Sequence, residues 1–350
     1  MNPGKRSNRD LFLLIGAAAL LVIVVLAAAF GLGGQQAAPV GDGGTLRLAY
    51  FPNVTHAAAI AGVARGDFAK ALGNTTLETK VVNAGPDAMQ ALLAGDIDLS
   101  YVGPSPAINT YLKSNGTALR LLAGASSGGA ALVAREDVPI KSIKDLDGKR
   151  VADPQLGGTQ DVSLRHFMAV NGLKPADKGG TVTIIPAQNA DILNLFLTKQ
   201  IDAAWVPEPW AARLQIEAKA NLVVDERDLW PGGQFTTTVV VVSTDYLQKH
   251  PATVEAFLQA HVAEIAWLNA NPDEGQKVVN DELKRLTGKA LSADVLKLAW
   301  QRVRFTDDPN QTSIDAFVQA ATEVGYLTSG KNDVTGMYDF GPLQQAKSGK

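Results

Sequence analysis

The chain of 350 residues has no cysteine. Disulfides, thiolate metal sites, cysteine nucleophiles and a lipid-modified N-terminal cysteine are therefore excluded. Histidine is scarce: His56, His166, His250 and His261 are scattered without metal-ligand spacing. The glycines of Gly124–Gly129 lack the Gly-Lys-Ser/Thr ending of a phosphate loop, which leaves them as a strand-end turn. Neither charge sign dominates, since 32 basic and 35 acidic residues leave a net charge of −3 with both signs interspersed. That balance argues against nucleic acid or an anionic membrane surface as partner. One long apolar run, Leu11–Leu32, is uncharged and long enough to cross a bilayer as a helix. Lys5, Arg6 and Arg9 precede it and the next basic residue is Arg47, so the body is expected outside the cytoplasm. Residues 1–32 are expected to be a retained membrane anchor or a signal segment, with Ala27-Ala-Ala29 permitting cleavage. Residues 33–44 read as a flexible linker. No second apolar span and no cytoplasmic output module are expected in the remainder, which is long enough for two lobes.

What is present is said twice. Asp87-Ala-Met-Gln-Ala-Leu-Leu-Ala-Gly-Asp-Ile-Asp-Leu-Ser-Tyr-Val102 returns, 104 positions on, as Asp191-Ile-Leu-Asn-Leu-Phe-Leu-Thr-Lys-Gln-Ile-Asp-Ala-Ala-Trp-Val206. Each copy opens on an Asp suited to cap a helix and places apolar residues at i, i+3 and i+4. Each turns through Ile-Asp into a short apolar strand and ends in a proline loop, Gly103-Pro-Ser-Pro106 or Pro207-Glu-Pro-Trp210. Two such units suggest two similar lobes facing one another across a cleft.

Strand–helix alternation fills the rest. Strands are expected at Leu46–Phe51, Thr79–Asn83, Leu119–Ala123, Ala130–Ala134, Arg150–Ala152, Thr181–Ile185 and Thr236–Ser243. Helical segments are expected up to Lys70, over Pro106–Lys113 and Val162–Asn171, and through most of His250–Thr328. The pattern predicts an α/β fold with mostly parallel sheets. Lobe I is expected over 45–135 and 239–350, with lobe II inserted at 136–238. Crossings near Ala134–Val138 and Thr236–Val240 would form a hinge.

Three segments taken together, Tyr50-Phe-Pro-Asn-Val-Thr-His56, Gly95-Asp-Ile-Asp98 with Val102-Gly-Pro-Ser-Pro106, and Trp205-Val-Pro-Glu-Pro-Trp210, resemble solute-binding proteins of ABC importers. The resemblance is to the nitrate, sulfonate and taurine group, which also includes thiamine-precursor binders, and it runs from about Leu46 to Leu343. It implies a periplasmic-binding-protein type II fold, a ligand held between two α/β lobes, and delivery to a membrane permease driven by a separate ATPase subunit. A monomer without cofactor or metal is expected. The chain departs from many single-membrane relatives in lacking a lipid-anchor cysteine, whose place the N-terminal helix would take.

Ligands of open α/β sheets bind beyond the carboxyl ends of the strands. The strand-end loops expected there are Pro52–His56, Gly103–Pro106, Gln155–Asp161 and Pro207–Trp210, each followed by a helical segment. Helix N-termini favour an anion. Asn53, Thr55, Ser105, Thr159 and Gln160 add neutral polar groups, and Gly103 and Gly158 add open backbone. Asp161 and Glu208 have two readings, a helix cap or a partner for a ligand ammonium. Trp205 is core or cleft wall; Trp210 is expected to flank the ligand. His56 is expected to hydrogen-bond or pack, because no Ser or Cys nucleophile pairs with it. Ser126 and Ser127 are expected to touch the cleft. The expected ligand is a small anion or zwitterion, an alkanesulfonate, taurine or a nitrate-like ion. A thiamine-precursor pyrimidine or a tethered sensing role is the alternative. Enzymatic thiamine-pyrimidine synthesis, associated with a cysteine-rich motif, does not fit a chain without cysteine. On this reading, Asn53→Ala or Glu208→Ala weakens binding with little change in stability.

Overall fold

A computed structural model describes residues 41–328, Gly330 and 332–348. The apolar run Leu11–Leu32 lies outside these residues, as does most of the linker. Among the described residues no helix is long and apolar enough to cross a membrane. The strands are β1 (Thr45–Tyr50), β2 (Thr76–Val81), β3 (Leu99–Val102), β4 (Leu119–Gly128), β5 (Ala130–Ala134) and β6 (Arg150–Asp153). They continue with β7 (Thr183–Pro186), β8 (Ala203–Pro207), β9 (Asn221–Asp225), β10 (Thr236–Ser243) and β11 (Val303–Phe305). The helices are α1 (Ala57–Ala64), α2 (Asp67–Leu72), α3 (Gly85–Leu93), α4 (Pro104–Lys113), α5 (Thr159–Val170), α6 (Asn189–Leu197) and α7 (Trp210–Glu217). After them come α8 (Thr244–Lys249), α9 (Pro251–Ala270), α10 (Pro272–Thr287), α11 (Ala293–Arg302), α12 (Gln311–Glu323) and α13 (Gly341–Ser348).

Two sheets result. The first has the order β11-β4-β10-β3-β1-β2 and the second β7-β6-β8-β5-β9. In the first, β1 is parallel to β2 and β3, whereas β10 is antiparallel to β3 and β4, and β11 to β4. In the second, β6 is parallel to β7 and β8, whereas β5 is antiparallel to β8 and β9. The antiparallel members β5 and β10 are the strands on which the chain arrives from the other sheet. Sequence alternation leads to mostly parallel sheets; these crossing strands make both sheets mixed.

The crossings are displaced from where the sequence suggests. Ala130–Ala134 pairs with β8 and β9, so the chain leaves the first sheet at Gly128–Gly129 rather than at Ala134–Val138. Both glycines have positive φ, +74° and +79°, which lets the strand turn out of one sheet directly into the other. Residues Gly124–Gly128 are thus not a strand-end turn but the second half of β4, and only Gly128–Gly129 makes the turn. The return runs through residues 226–235, ahead of β10, and β10 spans the residues expected of it.

The repeat is built into both sheets. Helices α3 and α6 and the starts of β3 and β8 keep the offset of the sequence copies. Ile97 and Ile201 are buried. Asp98 Oδ2 accepts from Arg47 N–H and Nε, both at 2.8 Å, near the start of β1. Asp202 Oδ2 accepts from Arg150 N–H at 2.9 Å and Nε at 3.1 Å, at the start of β6. Each Ile-Asp therefore seats one side chain in the core and clamps the neighbouring strand by charge-assisted bonds. Asp87 and Asp191 are not N-caps: the helices begin two residues earlier, at Gly85 and Asn189, which leaves both carboxylates in the first turn. Late in the chain α12 packs on α4 and α5, and α11 on α7, so C-terminal helices touch elements of both sheets.

Candidate functional site

Four helices begin where the two sheets meet. Their N-caps are Ala84 for α3, Gly103 for α4, Gly158 for α5 and Gln188 for α6, and none makes a side-chain capping bond. The free N–H groups of these first turns, and the positive end of each helix dipole, remain unsatisfied by local side chains. Ala84, Gly103, Gly158 and Asn189 line one narrow cavity, with Phe51, Asn53, Thr55, His56, Thr159 and Gln160. The room left for the centres of water molecules is about 30 Å³, enough for two or three waters or one small anionic group at roughly 10–15 Å³ each.

Among the described residues, no Lys, Arg, Asp or Glu lines this cavity. His56 adds no charge, because burial pulls its pKa down to about 3. Its ring stacks on Phe51 with centroids 4.3 Å apart, and its Nδ1 accepts from the Phe51 N–H at 3.4 Å. The proton is thereby assigned to Nε2. Three buried polar atoms at the cavity have no partner: Thr159 Oγ1, Asn189 Oδ1 and Gln155 Oε1. Orphaned groups of this kind carry a desolvation cost that a bound molecule or water removes.

The cleft is closed. Trp210 Nε1 donates to Asn53 Oδ1 at 2.9 Å, Asn83 Nδ2 to Gln188 Oε1 at 3.2 Å, and Gln155 Nε2 to Asp87 Oδ1 at 2.9 Å. Each bond joins a residue associated with the first sheet to one associated with the second. A Cβ placed on Gly103 would lie 2.1 Å from Thr159 Oγ1, so only glycine lets these two loops approach so closely.

The profile of the NMT1-like family matches residues 42–280. The chain belongs to that family. It is 31% identical over 236 residues to the taurine-binding periplasmic protein of Escherichia coli, an alignment covering 65% of this chain and 69% of that one. The alkanesulfonate-binding protein SsuA of Xanthomonas axonopodis pv. citri, solved bound to MOPS, superposes with a TM-score of 0.71 at 18% identity. That superposition covers 84% of this chain and 98% of the other. The periplasmic nitrate-binding protein NrtA of Synechocystis gives a TM-score of 0.72 at 16% identity, over 89% of this chain and 90% of the other. The family member is thus a solute-binding protein of the ABC-importer kind with a periplasmic-binding-protein-like fold, and not an enzyme.

Within the family member, the residues expected at the cleft divide. Asn53, Thr55, His56, Gly103, Gly158, Thr159 and Gln160 line the cavity, and Trp210 stands just outside it. Four others do not reach it. Ser105 is buried in the first turn of α4 with its Oγ unpartnered, off the cavity wall. Ser126 Oγ donates to the Thr55 carbonyl at 2.8 Å, so it holds the Pro52–His56 loop from behind. Asp161 accepts from Gly157 N–H at 2.7 Å, from Arg165 Nε at 2.7 Å and from Tyr326 Oη. Glu208 accepts from the Ala212 N–H at 2.9 Å and from Arg302 Nη1 at 2.7 Å. Glu208 caps α7 through the Ala212 N–H, whereas Asp161, in the first turn of α5, accepts from the Gly157 N–H ahead of the N-cap and pairs with Arg165; both carboxylates are fully buried and already partnered. Trp205 is core, its Nε1 donating to Glu226 Oε2 at 2.6 Å.

Gln155 lines the cavity from the expected Gln155–Asp161 loop, whereas Phe51, Asn83, Ala84, Gly85, Pro154, Asn189 and Thr237 line it from outside the expected loops. The signal for Gly85 and Asn189 lay in the repeat itself. Both copies start a helix just after a strand, so their own N-termini, and not only the proline loops at their ends, face the cleft.

Proposed function

We propose that this protein is the extracytoplasmic ligand-capturing component of an ABC importer, taking a small organic or inorganic anion into the cavity between its sheets. The carrying observation is the meeting of four uncapped helix starts around a cavity with no charged side chain. Such a cavity binds an anion by backbone N–H groups and dipoles, without a basic residue. The names of the relatives, which include binders of taurine, nitrate and sulfonates, point the same way. In this reading residues 41–128 and 236–348 act as one lobe and 130–225 as the other. They close about Gly128–Gly129 and 226–235, and the closed form is presented to a permease served by a separate ATPase subunit. The protein acts as a monomer, and residues 1–32 export or tether it.

Thermal unfolding of the full chain with methanesulfonate or nitrate tests the reading. At one hundred times Kd either ion should add about 2.7 kcal/mol of stability. A melting temperature unmoved by both, at concentrations up to tens of millimolar, would count against it.

A further inference from the structure

Next to the inner cavity lies an outer chamber of about 300 Å³, and the two share Asn53, Asn83 and Asn189. The Trp210–Asn53 hydrogen bond stands at their border. The chamber's apolar walls include Trp210, Leu283 and Leu291. Among the described residues its charged lining is Arg213 and Lys289, with no carboxylate. Glu217 sits behind these two cations and binds both, taking Arg213 Nε at 2.8 Å and Lys289 Nζ at 3.5 Å. One carboxylate shared between two cations leaves one positive charge in excess. The Arg213 guanidinium also lies 4.5 Å above the Trp210 ring, which fixes that ring as a flat wall.

We infer that the outer chamber receives the tail of the ligand whose anionic head occupies the inner cavity, and that it selects a tail apolar along its length and acidic at its end. This rests on the function proposed above. An inner cavity with room for one small group can hold a sulfonate or carboxylate head but not a long substituent, and the shared asparagines mark where a substituent leaves. Leaving there, it meets an aromatic face and two leucines and then the Arg213–Lys289 pair. An ammonium end, as in taurine, finds no carboxylate among the described residues on this path, only neutral acceptors such as the unpartnered amide oxygens of Gln155 and Asn189. Farther out it meets like charge, which acts against it.

Calorimetric titration of the full chain with methanesulfonate, hexanesulfonate, 6-aminohexanesulfonate and 6-sulfohexanoate tests this. The head is constant and only the tail changes. Hexanesulfonate should bind more tightly than methanesulfonate, and 6-sulfohexanoate about tenfold more tightly than 6-aminohexanesulfonate. Lys289→Glu, a change at an exposed side chain, should invert the preference between the last two. Equal binding of the acid-ended and ammonium-ended probes, or a ratio that Lys289→Glu leaves unmoved, overturns the tail assignment while leaving anion capture standing. Failure of all four probes, methanesulfonate included, overturns anion capture itself and the tail subsite with it.

Discussion

Gly103 shows how much a single missing atom decides. Its backbone is ordinary (φ −70°, ψ 156°), so alanine would suit the local conformation. Alanine's Cβ would nonetheless collide with Thr159 Oγ1 from the opposite loop, and only in the closed form. Gly103→Ala should therefore weaken methanesulfonate binding by about tenfold or more with little effect on ligand-free melting. The paired change Gly103→Ala with Thr159→Ala should recover part of the loss in the same titration. Glu208 moves the opposite way from its sequence-based expectation. With Arg302 7% exposed and Glu208 fully buried, removing the carboxylate strands a guanidinium whose next acid, Asp225, is 3.8 Å away. Glu208→Ala should cost about 3–5 kcal/mol, a fall in Tm of roughly 10 °C for a chain of this size, measurable by differential scanning calorimetry. Residue types and strand-end position announce Asn53 and Thr159 as cleft groups. Nothing near Glu208 announces Arg302, which lies 94 residues downstream. The same holds for Asp161 and Tyr326, 165 residues apart.

Among the elements, those with a strong local pattern were legible. β10 is rich in Thr and Val, and the two copies of the repeat carry their own helix and strand periodicity. β11, with three residues, and β9, half-exposed, carry too little pattern to be read. The strand pattern of β5 is legible, but its pairing with β8 and β9 is not, because strand pairing is a tertiary choice that alternation does not record. The segment 226–235 joining the sheets holds another such choice, a buried carboxylate facing only donors. Glu226 accepts from Ser163 Oγ, Trp205 Nε1 and Trp230 Nε1, yet burial outweighs these bonds and lifts its pKa from 4.5 to about 7. A carboxyl group raised on folding favours the folded state while protonated, so its contribution is complete below about pH 4.5 and is lost as pH rises through about 7. The loss is of the order of 3 kcal/mol. Urea unfolding at pH 5 and pH 8 should show the wild type losing stability on the alkaline side. Glu226→Gln should be weaker throughout but flatter; a slope as steep as the wild type's would contradict the assignment.

On the scale of the whole molecule, the three hydrogen bonds that close the cleft beside the cavity are individually modest, about 0.5–1.5 kcal/mol each, and the Arg302–Glu208 and Tyr326–Asp161 contacts lie away from it. A ligand touching both sides is needed to favour the closed form decisively. Small-angle scattering should accordingly report a smaller radius of gyration with saturating methanesulfonate than without it. Trp210→Phe, which keeps the ring and loses the bond to Asn53, should reduce that contraction.

Helix α12 rests on α4 and α5 together, Arg302 of α11 reaches Glu208, and Tyr326 reaches Asp161. The inserted segment 130–225 is thus not an interchangeable cassette, although its two crossings make it look like one. A chimera that grafts this segment from a relative onto the present chain inherits only half of each of these partnerships. Its recovery should depend less on where the crossings are cut than on whether positions 302 and 326 travel with the graft.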